Sequence, residues 1–149
     1  MIRADVAARR LIYKSISGVR SIVKRVTKQD RKRWVREPVL FQELIQGNNI
    51  RVHVIKDIVI ACCCMARDID YRYAKAMRIE RVKLPLWLEL ECIDVARQLG
   101  FEFTGIDLIL RNGEYFILEV NPAPGYAYFD IDLCISRALY KYFEDVMGS

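Results

Sequence analysis

Short segments of this chain alternate between apolar and polar residues, as strands with one buried face do. The alternation is clearest in residues 50–55, which follow the turn residues 46–49 and precede the tight turn Lys56-Asp57. A turn at residues 15–18 and a polar connection at residues 28–36 separate further apolar segments. We therefore predict strands at residues 50–55 and also at residues 10–14, 19–27, 39–45 and 58–66.

Two later segments have the residue spacing of a helix. Pro85 begins the first, which runs to about Leu99 and stops at Gly100, because proline favours the first helical position and glycine the end. Residues 67–84, before it, are charged and irregular, so we expect a long loop there. The second segment, residues 131–147, is amphipathic, and its apolar residues include Leu133, Ile135, Leu139 and Phe143.

A hairpin of two apolar strands lies between these helices. The turn at residues 111–114 contains Asn-Gly, which favours a tight hairpin. The order of elements is therefore several antiparallel strands, a helix, a hairpin and a helix, which predicts an α+β fold. A length of 149 residues fits one domain with a substantial core.

The hairpin carries three oxygen-bearing side chains, Asp107, Glu119 and Asn121. Glu119 and Asn121 are two residues apart and share a face of their strand, and an antiparallel partner strand can bring Asp107 opposite them. Mg²⁺ prefers such oxygen ligands and commonly takes its remaining ligands from substrate phosphates. The residues alone are also compatible with the solvent face of a strand.

Charge is distributed unevenly along the chain. Residues 1–37 have a net charge of +9, against −4 for the remaining residues. A basic first quarter suggests phosphate partners, either in a nucleotide or in a nucleic acid, although a solvated basic surface is the simpler alternative. An apolar content of 53% excludes global disorder.

We expect a cytoplasmic protein that makes no membrane contact. No apolar run is long enough to cross a bilayer, and the first residues lack the apolar stretch of a signal peptide. The cysteines are interpreted as small buried thiols in a reducing compartment, with a cysteine nucleophile as the alternative. For the single histidine, His53, we expect a structural or surface role.

Four blocks of sequence together resemble the carboxy-terminal part of an ATP-grasp ligase of the RimK-like and glutathione-synthetase-like type. In chain order they are Leu11-Ile12-Tyr13-Lys14-Ser15-Ile16-Ser17-Gly18, Phe41-Gln42-Glu43-Leu44-Ile45, Asn49-Ile50-Arg51-Val52, and Gly105-Ile106-Asp107 with Glu119-Val120-Asn121-Pro122. Asp70-Tyr71-Arg72 resembles a further family segment. The resemblance covers most of residues 11–146.

The resemblance implies an ATP-grasp-like α+β fold of antiparallel sheets packed with helices, with ATP and Mg²⁺ as cofactors and Mn²⁺ as an alternative. It implies a phosphate contact for Lys14 and catalytic contacts to phosphates or substrate for Arg51 and Arg72. The implied nucleotide-binding residues are Gln42, Glu43, Leu44, Ile45 and Asn49. The implied metal ligands are Asp107, Glu119 and Asn121.

The implied function is that of a carboxylate–amine (or thiol) ligase that works through an acyl phosphate, with substrates that the sequence does not name. Residues 1–37 would form its phosphate-loop part and residues 38–149 its adenine- and magnesium-binding part. Family members commonly have an acidic residue where this chain has Asn49. They also have an amino-terminal domain that we expect to be missing here, and the sheet edge that it would leave open would favour self-association.

Two other functions stay open at this point. The chain would be a nucleotide-binding module without turnover if the missing domain were essential. A basic nucleic-acid-binding domain ranks last, because only Tyr13 and Trp34 interleave with the basic residues for stacking. In the expected loop, Arg72, Arg78 and Arg81 would suit an acidic substrate, or would simply be solvated.

Overall fold

The computed structural model describes residues 11–16, 23–27, 38–65 and 78–148. The described chain belongs to two compact units, Met1–Gln46 with Ala66–Lys75, and Gly47–Met65 with Ala76–Ser149. Several predictions lie outside the described residues: the end of the turn at 17–18, the strand residues 19–22, the polar connection, the loop residues 67–77 and Arg72. The division into a phosphate-loop part, residues 1–37, and an adenine- and magnesium-binding part, residues 38–149, stays a prediction.

The first unit contains a three-stranded antiparallel sheet in the order β2-β1-β3. Its strands are β1 (Leu11–Ser15), β2 (Lys24–Arg25) and β3 (Val39–Glu43). Tyr13 lies opposite Phe41, and the centroids of their rings are 6.3 Å apart. The strands predicted at residues 10–14 and 39–45 are thus confirmed in outline, although β3 ends before Leu44 and Ile45.

The second unit contains a five-stranded antiparallel sheet in the order β6-β5-β4-β7-β8. The turn between the last two strands has Asn112 at φ 52° and Gly113 at φ 85°, the left-handed conformation that these residues tolerate best. The predicted hairpin is therefore confirmed. The strands are β4 (Asn48–Ile55), β5 (Ile58–Met65), β6 (Arg78–Val82), β7 (Phe103–Arg111) and β8 (Glu114–Asn121).

The prediction of a loop through residues 67–84 was wrong for its last part. Residues 78–82 form β6, in which Val82 lies opposite Ala61 and Arg81 opposite Cys62. The strand is at the edge of the sheet, where charged side chains are common because they discourage pairing with other chains. Those charges removed the apolar alternation on which a sequence-based prediction of a strand depends.

One face of the five-stranded sheet packs against the helix α1 (Leu86–Gln98). Leu88, Cys92 and Ala96 lie four residues apart, so they share one side of the helix, and all three are buried. They form the core with apolar side chains of β4, β5 and β7, including Val52, Ala61, Ile106 and Leu108. Gly100, at φ 74°, follows the helix as predicted.

The second helix, α2 (Cys134–Met147), begins three residues later than predicted. Residues 131–133 form a short 3-10 turn in which Asp132 and Leu133 have positive φ. The carboxylate of Asp130 caps the helix, because it accepts hydrogen bonds from the backbone N–H groups of Ile135 (2.7 Å) and Ser136 (3.1 Å). In the described parts of the chain, neither helix is long and apolar enough to cross a membrane.

Candidate functional site

Three charged residues form one row across the middle of the five-stranded sheet. Arg51 on β4 lies opposite Asp107 on β7, and Asp107 lies opposite Glu119 on β8. Asn121 lies opposite Gly105, two pairs further along, and it shares a face with Glu119 because alternate residues do so. The pairing thus brings Arg51 together with all three predicted metal ligands on the face opposite α1, which we call the polar face.

A β-bulge in β8 changes which of its side chains point to each face of the sheet. Asp107 pairs with Glu119, but the next residue, Leu108, pairs with Ile117, so one extra residue lies on β8 between these two pairs. Val120 and Tyr115 both pack against the α1 core although they are five positions apart. A regular strand would place them on opposite faces. The bulge therefore combines an apolar inner face with acidic and amide side chains on the polar face.

Arg51 is buried and held on several sides. It is only 6% exposed, and its Nη1 donates a hydrogen bond to Asp107 Oδ2 at 2.8 Å. Its guanidinium lies 5.8 Å from the centre of the Phe129 ring. A Cβ added at Gly105 would be 2.7 Å from Arg51 Nη2 and 2.7 Å from Pro124 Cβ. Gly105 therefore gives the guanidinium room beside the backbone of β7.

The residues that follow Asn121 run across the polar face, and we call residues 122–130 the strap. The backbone oxygen of Asn121 accepts a hydrogen bond from Thr104 Oγ1 at 2.7 Å, and Asn121 Oδ1 accepts one from the N–H of Ala123 at 2.9 Å. Further along, His53 Nε2 lies 3.4 Å from the oxygen of Gly125 and, as the partner of a carbonyl, donates to it. The strap therefore fixes the side chain of Asn121, the residue immediately before it.

Burial determines the protonation of the groups beside the strap. Burial first, and then the charge of Arg51, lower the pKa of His53 to about 4, so the imidazole is neutral at physiological pH. Burial raises the pKa of Cys62 to about 11 and that of Cys64 to about 12. Burial by itself would raise the pKa of Asp130, but the hydrogen bonds from Ser136 and Ile135 together outweigh it and hold that pKa below its usual value.

The donor atoms on the polar face suit a hard cation. Directly opposed side chains such as Asp107 and Glu119 have Cβ atoms about 4.5–5.5 Å apart, so both can reach one ion. The side chain of Asp107 is 22% exposed and Glu119 is exposed, while Asn121 Oδ1 keeps a second lone pair. In the described ranges no three His, Cys, Asp or Glu residues converge as a metal site. Mg²⁺ held by two carboxylates, an amide and phosphate oxygens fits this set.

The other predicted site residues are distributed over both units. Lys14, Gln42 and Glu43 lie on the sheet of the first unit, where Leu44 and Ile45 follow β3. In the second unit, Asn49 on β4 lies opposite Ile109 on β7 and alternates onto the same face as Arg51. Arg81 on β6 extends the row beyond Cys62, whereas Arg78 forms an ion pair with Glu80. The roles of these residues stay predictions.

The part that His53 and Phe129 have in this site was not predicted from the sequence. His53 is fully buried, and its ring lies 5.3 Å from that of Phe129, centroid to centroid. The structural role expected for His53 agrees with this burial, but nothing in the sequence indicated that Phe129 would return to contact it. Gly105 did carry a signal, because a glycine inside a strand often marks a close approach of another group.

Comparisons with known proteins identify the family and the fold of this chain. The family model of the ATP-grasp domain matches residues 1–125. The ATP-grasp ligase PsnB, solved with a phosphomimetic variant of its minimal precursor, Mg and ADP, is 28% identical with a TM-score of 0.70, and the match covers 86% of this chain and 44% of PsnB. With precursor peptide PsnA2 and AMPPNP, PsnB is 25% identical with a TM-score of 0.65, covering 89% and 46%.

A more distant structure shares the fold. The macrocyclase MdnC from Microcystis aeruginosa, bound to precursor peptide MdnA, is 20% identical with a TM-score of 0.73, and the match covers 91% of this chain and 48% of MdnC. The predicted α+β, ATP-grasp-like fold is therefore confirmed. This chain spans less than half the length of these ligases. No curated protein matches the sequence.

Proposed function

This chain belongs to the ATP-grasp family, and we propose that it carries the metal- and phosphate-binding residues of an ATP- and Mg²⁺-dependent ligase. In the proposed reaction, a substrate carboxylate attacks the γ-phosphorus of ATP, which releases ADP and leaves an acyl phosphate. An amine or thiol then attacks the acyl carbon, phosphate leaves, and the proton of the nucleophile passes to solvent. The RimK-like and glutathione-synthetase-like subtype is part of this proposal.

The observation that carries the proposal is the row formed by Arg51, Asp107 and Glu119, with Asn121 beside it on the same face. Phosphoryl transfer depends mainly on positioning and on neutralising the charge of phosphate oxygens. A bound Mg²⁺ would supply that neutralisation, and Asp107, Glu119 and Asn121 are the residues that would hold it. Arg51, which is buried beside them, adds positive charge that water screens only weakly.

The nucleotide contacts complete the proposal. Lys14 would bind phosphate oxygens, and Gln42, Glu43, Leu44 and Ile45 would contact adenine, with Asn49 near the ribose. Arg72 would reach the phosphates or the substrate. These roles are proposed from the resemblance of their sequence blocks to the family.

The likeness to PsnB suggests which substrate to test first. That ligase has been solved with a minimal precursor and with a precursor peptide, so we propose a peptide as the substrate of this chain. Arg81, in the row beyond Cys62, is available on the polar face for a substrate carboxylate.

A nucleotide-binding module without turnover is the second candidate function. The observation in its favour is that the chain spans only 44% of the PsnB chain. Such a module would bind ATP with Mg²⁺ but would not release ADP when offered any carboxylate and amine. Measurement of ADP release alongside binding therefore separates the two candidates.

Calorimetric titration of ATP, with and without Mg²⁺, tests the proposal. We expect Mg²⁺-dependent binding by the unaltered chain, and its loss in a Glu119→Ala, Asn121→Ala double variant. Glu114→Ala is the matched control, because Glu114 is an exposed carboxylate at the other end of the same strand. Equal affinity of the double variant and the control would contradict the metal assignment.

A further inference from the structure

We propose that His53 is a positioning residue of the metal site: it anchors the strap, and the strap fixes Asn121 and the Arg51–Asp107 ion pair. The inference rests on the proposed function, because it treats Asn121 and Asp107 as metal ligands. It goes beyond that function in giving a role to a side chain that would touch neither the metal nor the nucleotide.

The surroundings of His53 hold its ring in one orientation. The ring is stacked on Phe103, with centroids 6.3 Å apart and planes 23° apart, and it meets the Phe129 ring at 5.3 Å and 49°. Its Nε2 donates to the oxygen of Gly125. These contacts connect β4 and β7 to the middle of the strap at Gly125 and to its last part at Phe129.

Burial of a polar ring at this position costs free energy. His53 is fully buried, and its Nδ1 has no hydrogen-bond partner among the described residues. A phenylalanine would fill a similar space between two aromatic rings without leaving a buried polar atom unsatisfied. The bond to Gly125 is what histidine adds, so we take that bond to be the reason for its presence.

One path leads from His53 to the side chain of Asn121. Gly125 lies four residues after Asn121, and between them Pro124 packs on the backbone of Gly105. The N–H of Ala123 binds Asn121 Oδ1 at 2.9 Å. Ala123 lies between Asn121, whose backbone oxygen is bonded to Thr104, and Gly125, whose oxygen is bonded to His53. The direction of the Asn121 side chain therefore depends on where Gly125 is held.

A second path leads from His53 to Asp107. The ring of His53 supports Phe129, whose oxygen also accepts a hydrogen bond from Cys62 Sγ at 3.7 Å. Phe129 in turn faces the guanidinium of Arg51, which donates to Asp107. Outer residues that orient metal ligands in this way often change metal affinity when they are altered.

Two substitutions separate the ring from its hydrogen bond. His53→Phe keeps an aromatic ring but removes the donor, whereas His53→Gln places an amide nitrogen near the position of Nε2. Mn²⁺ affinity is measured by electron paramagnetic resonance in the presence of AMPPNP, and exchange of the Ala123 amide hydrogen is measured without metal. Val54→Ala is the control. Val54 is buried on the other face of β4, so its truncation weakens the core without touching the strap.

We expect His53→Phe to lower Mn²⁺ affinity about tenfold, the lower end of the range for residues that support metal ligands. We also expect faster hydrogen exchange at the Ala123 amide in His53→Phe. In His53→Gln, which restores one hydrogen bond, the Mn²⁺ affinity and the exchange rate should both return to within about threefold of those of the unaltered protein. Val54→Ala should lower stability and leave Mn²⁺ affinity unchanged. Phe129→Leu, which removes the ring over Arg51, gives a second test if His53→Phe does not fold.

The possible results distinguish a failure of the positioning role of His53 from a failure of the proposed function. If the unaltered protein binds Mn²⁺ with AMPPNP and folded His53→Phe binds equally well, the positioning role is overturned while the proposed function stands. Loss of stability in His53→Phe with unchanged Mn²⁺ affinity also overturns it, because that is the behaviour of a purely structural residue. No binding by the unaltered protein would contradict the proposed function, and the positioning role would fall with it.

Discussion

Gly105 is the position where the smallest addition should have the largest effect on this site. An alanine Cβ there would lie 2.7 Å from Arg51 Nη2 and from Pro124 Cβ, and 2.8 Å from Arg51 Cζ. Real Cβ atoms do not approach other heavy atoms so closely, so the guanidinium and the proline must both move. The matched control is Gly125→Ala, because no described atom lies within 4 Å of a Cβ at Gly125.

The expected loss of stability follows from these contacts. Overpacking of a well-filled region costs about 1–3 kcal/mol. Displacement of Arg51 from Asp107 adds about 1 kcal/mol, well below the ~3–5 kcal/mol for breaking a fully buried pair, because Asp107 can regain partners from water. We therefore expect Gly105→Ala to lower the free energy of unfolding by about 2–4 kcal/mol. Gly125→Ala should change it by less than about 0.5 kcal/mol.

Urea denaturation followed by circular dichroism measures both variants. The midpoint for Gly105→Ala should fall while its dependence on urea concentration stays that of the unaltered protein, since the surface exposed on unfolding does not change. Mg²⁺-dependent ATP binding should weaken with it. A Gly105→Ala protein as stable as Gly125→Ala would show that the guanidinium does not pack on this backbone, and the account of Arg51 would be wrong.

Three further predictions follow from the charges and thiols. Arg51→Met should lower the free energy of unfolding by about 2–3 kcal/mol in chemical denaturation, because Asp107 loses its cation while only partly exposed, and adding Asp107→Asn should recover part of that loss. The folded-state pKa of His53, about 4, lies below its unfolded value of 6.5, so its contribution to stability is present above pH 6.5 and is lost as the pH falls towards 4. That loss amounts to roughly 3 kcal/mol, and stability curves measured against pH should lack it in His53→Phe. Iodoacetamide should modify the half-buried Cys63 and Cys134 before the buried Cys62, Cys64 and Cys92, because burial raises the pKa of these three thiols to about 11 or 12. Peptide mass spectrometry measures the order of modification, and the reverse order would show that burial does not protect the three thiols.

Local features of the sequence predicted the local parts of the fold. Asn112-Gly113 fixed the hairpin, and the two-residue period placed Glu119 and Asn121 on the same face. Pro85 and Gly100 marked the limits of α1 to within a residue. Each of these features depends on a few neighbouring residues, whose conformational preferences are strong enough to determine the local structure.

Non-local pairing was beyond the reach of these patterns. Arg51 and Asp107 are 56 residues apart, and β4 reaches β7 only after β5, β6 and α1 have intervened. Only the register of that pairing brings the arginine next to the carboxylate. The bulge on β8 was equally hidden, because nothing in residues 114–121 distinguishes an inserted position from a regular one. The burial of His53 depends on a strap that begins 69 positions later, at residue 122.

Anomalous diffraction from crystals grown with Mn²⁺ and AMPPNP would test the central claim most directly. We predict a manganese peak within about 2.5 Å of oxygen atoms from Asp107, Glu119 and Asn121, with nucleotide phosphate oxygens completing its coordination. A manganese ion bound with the nucleotide at any other place, with these three side chains left on solvent, would contradict it.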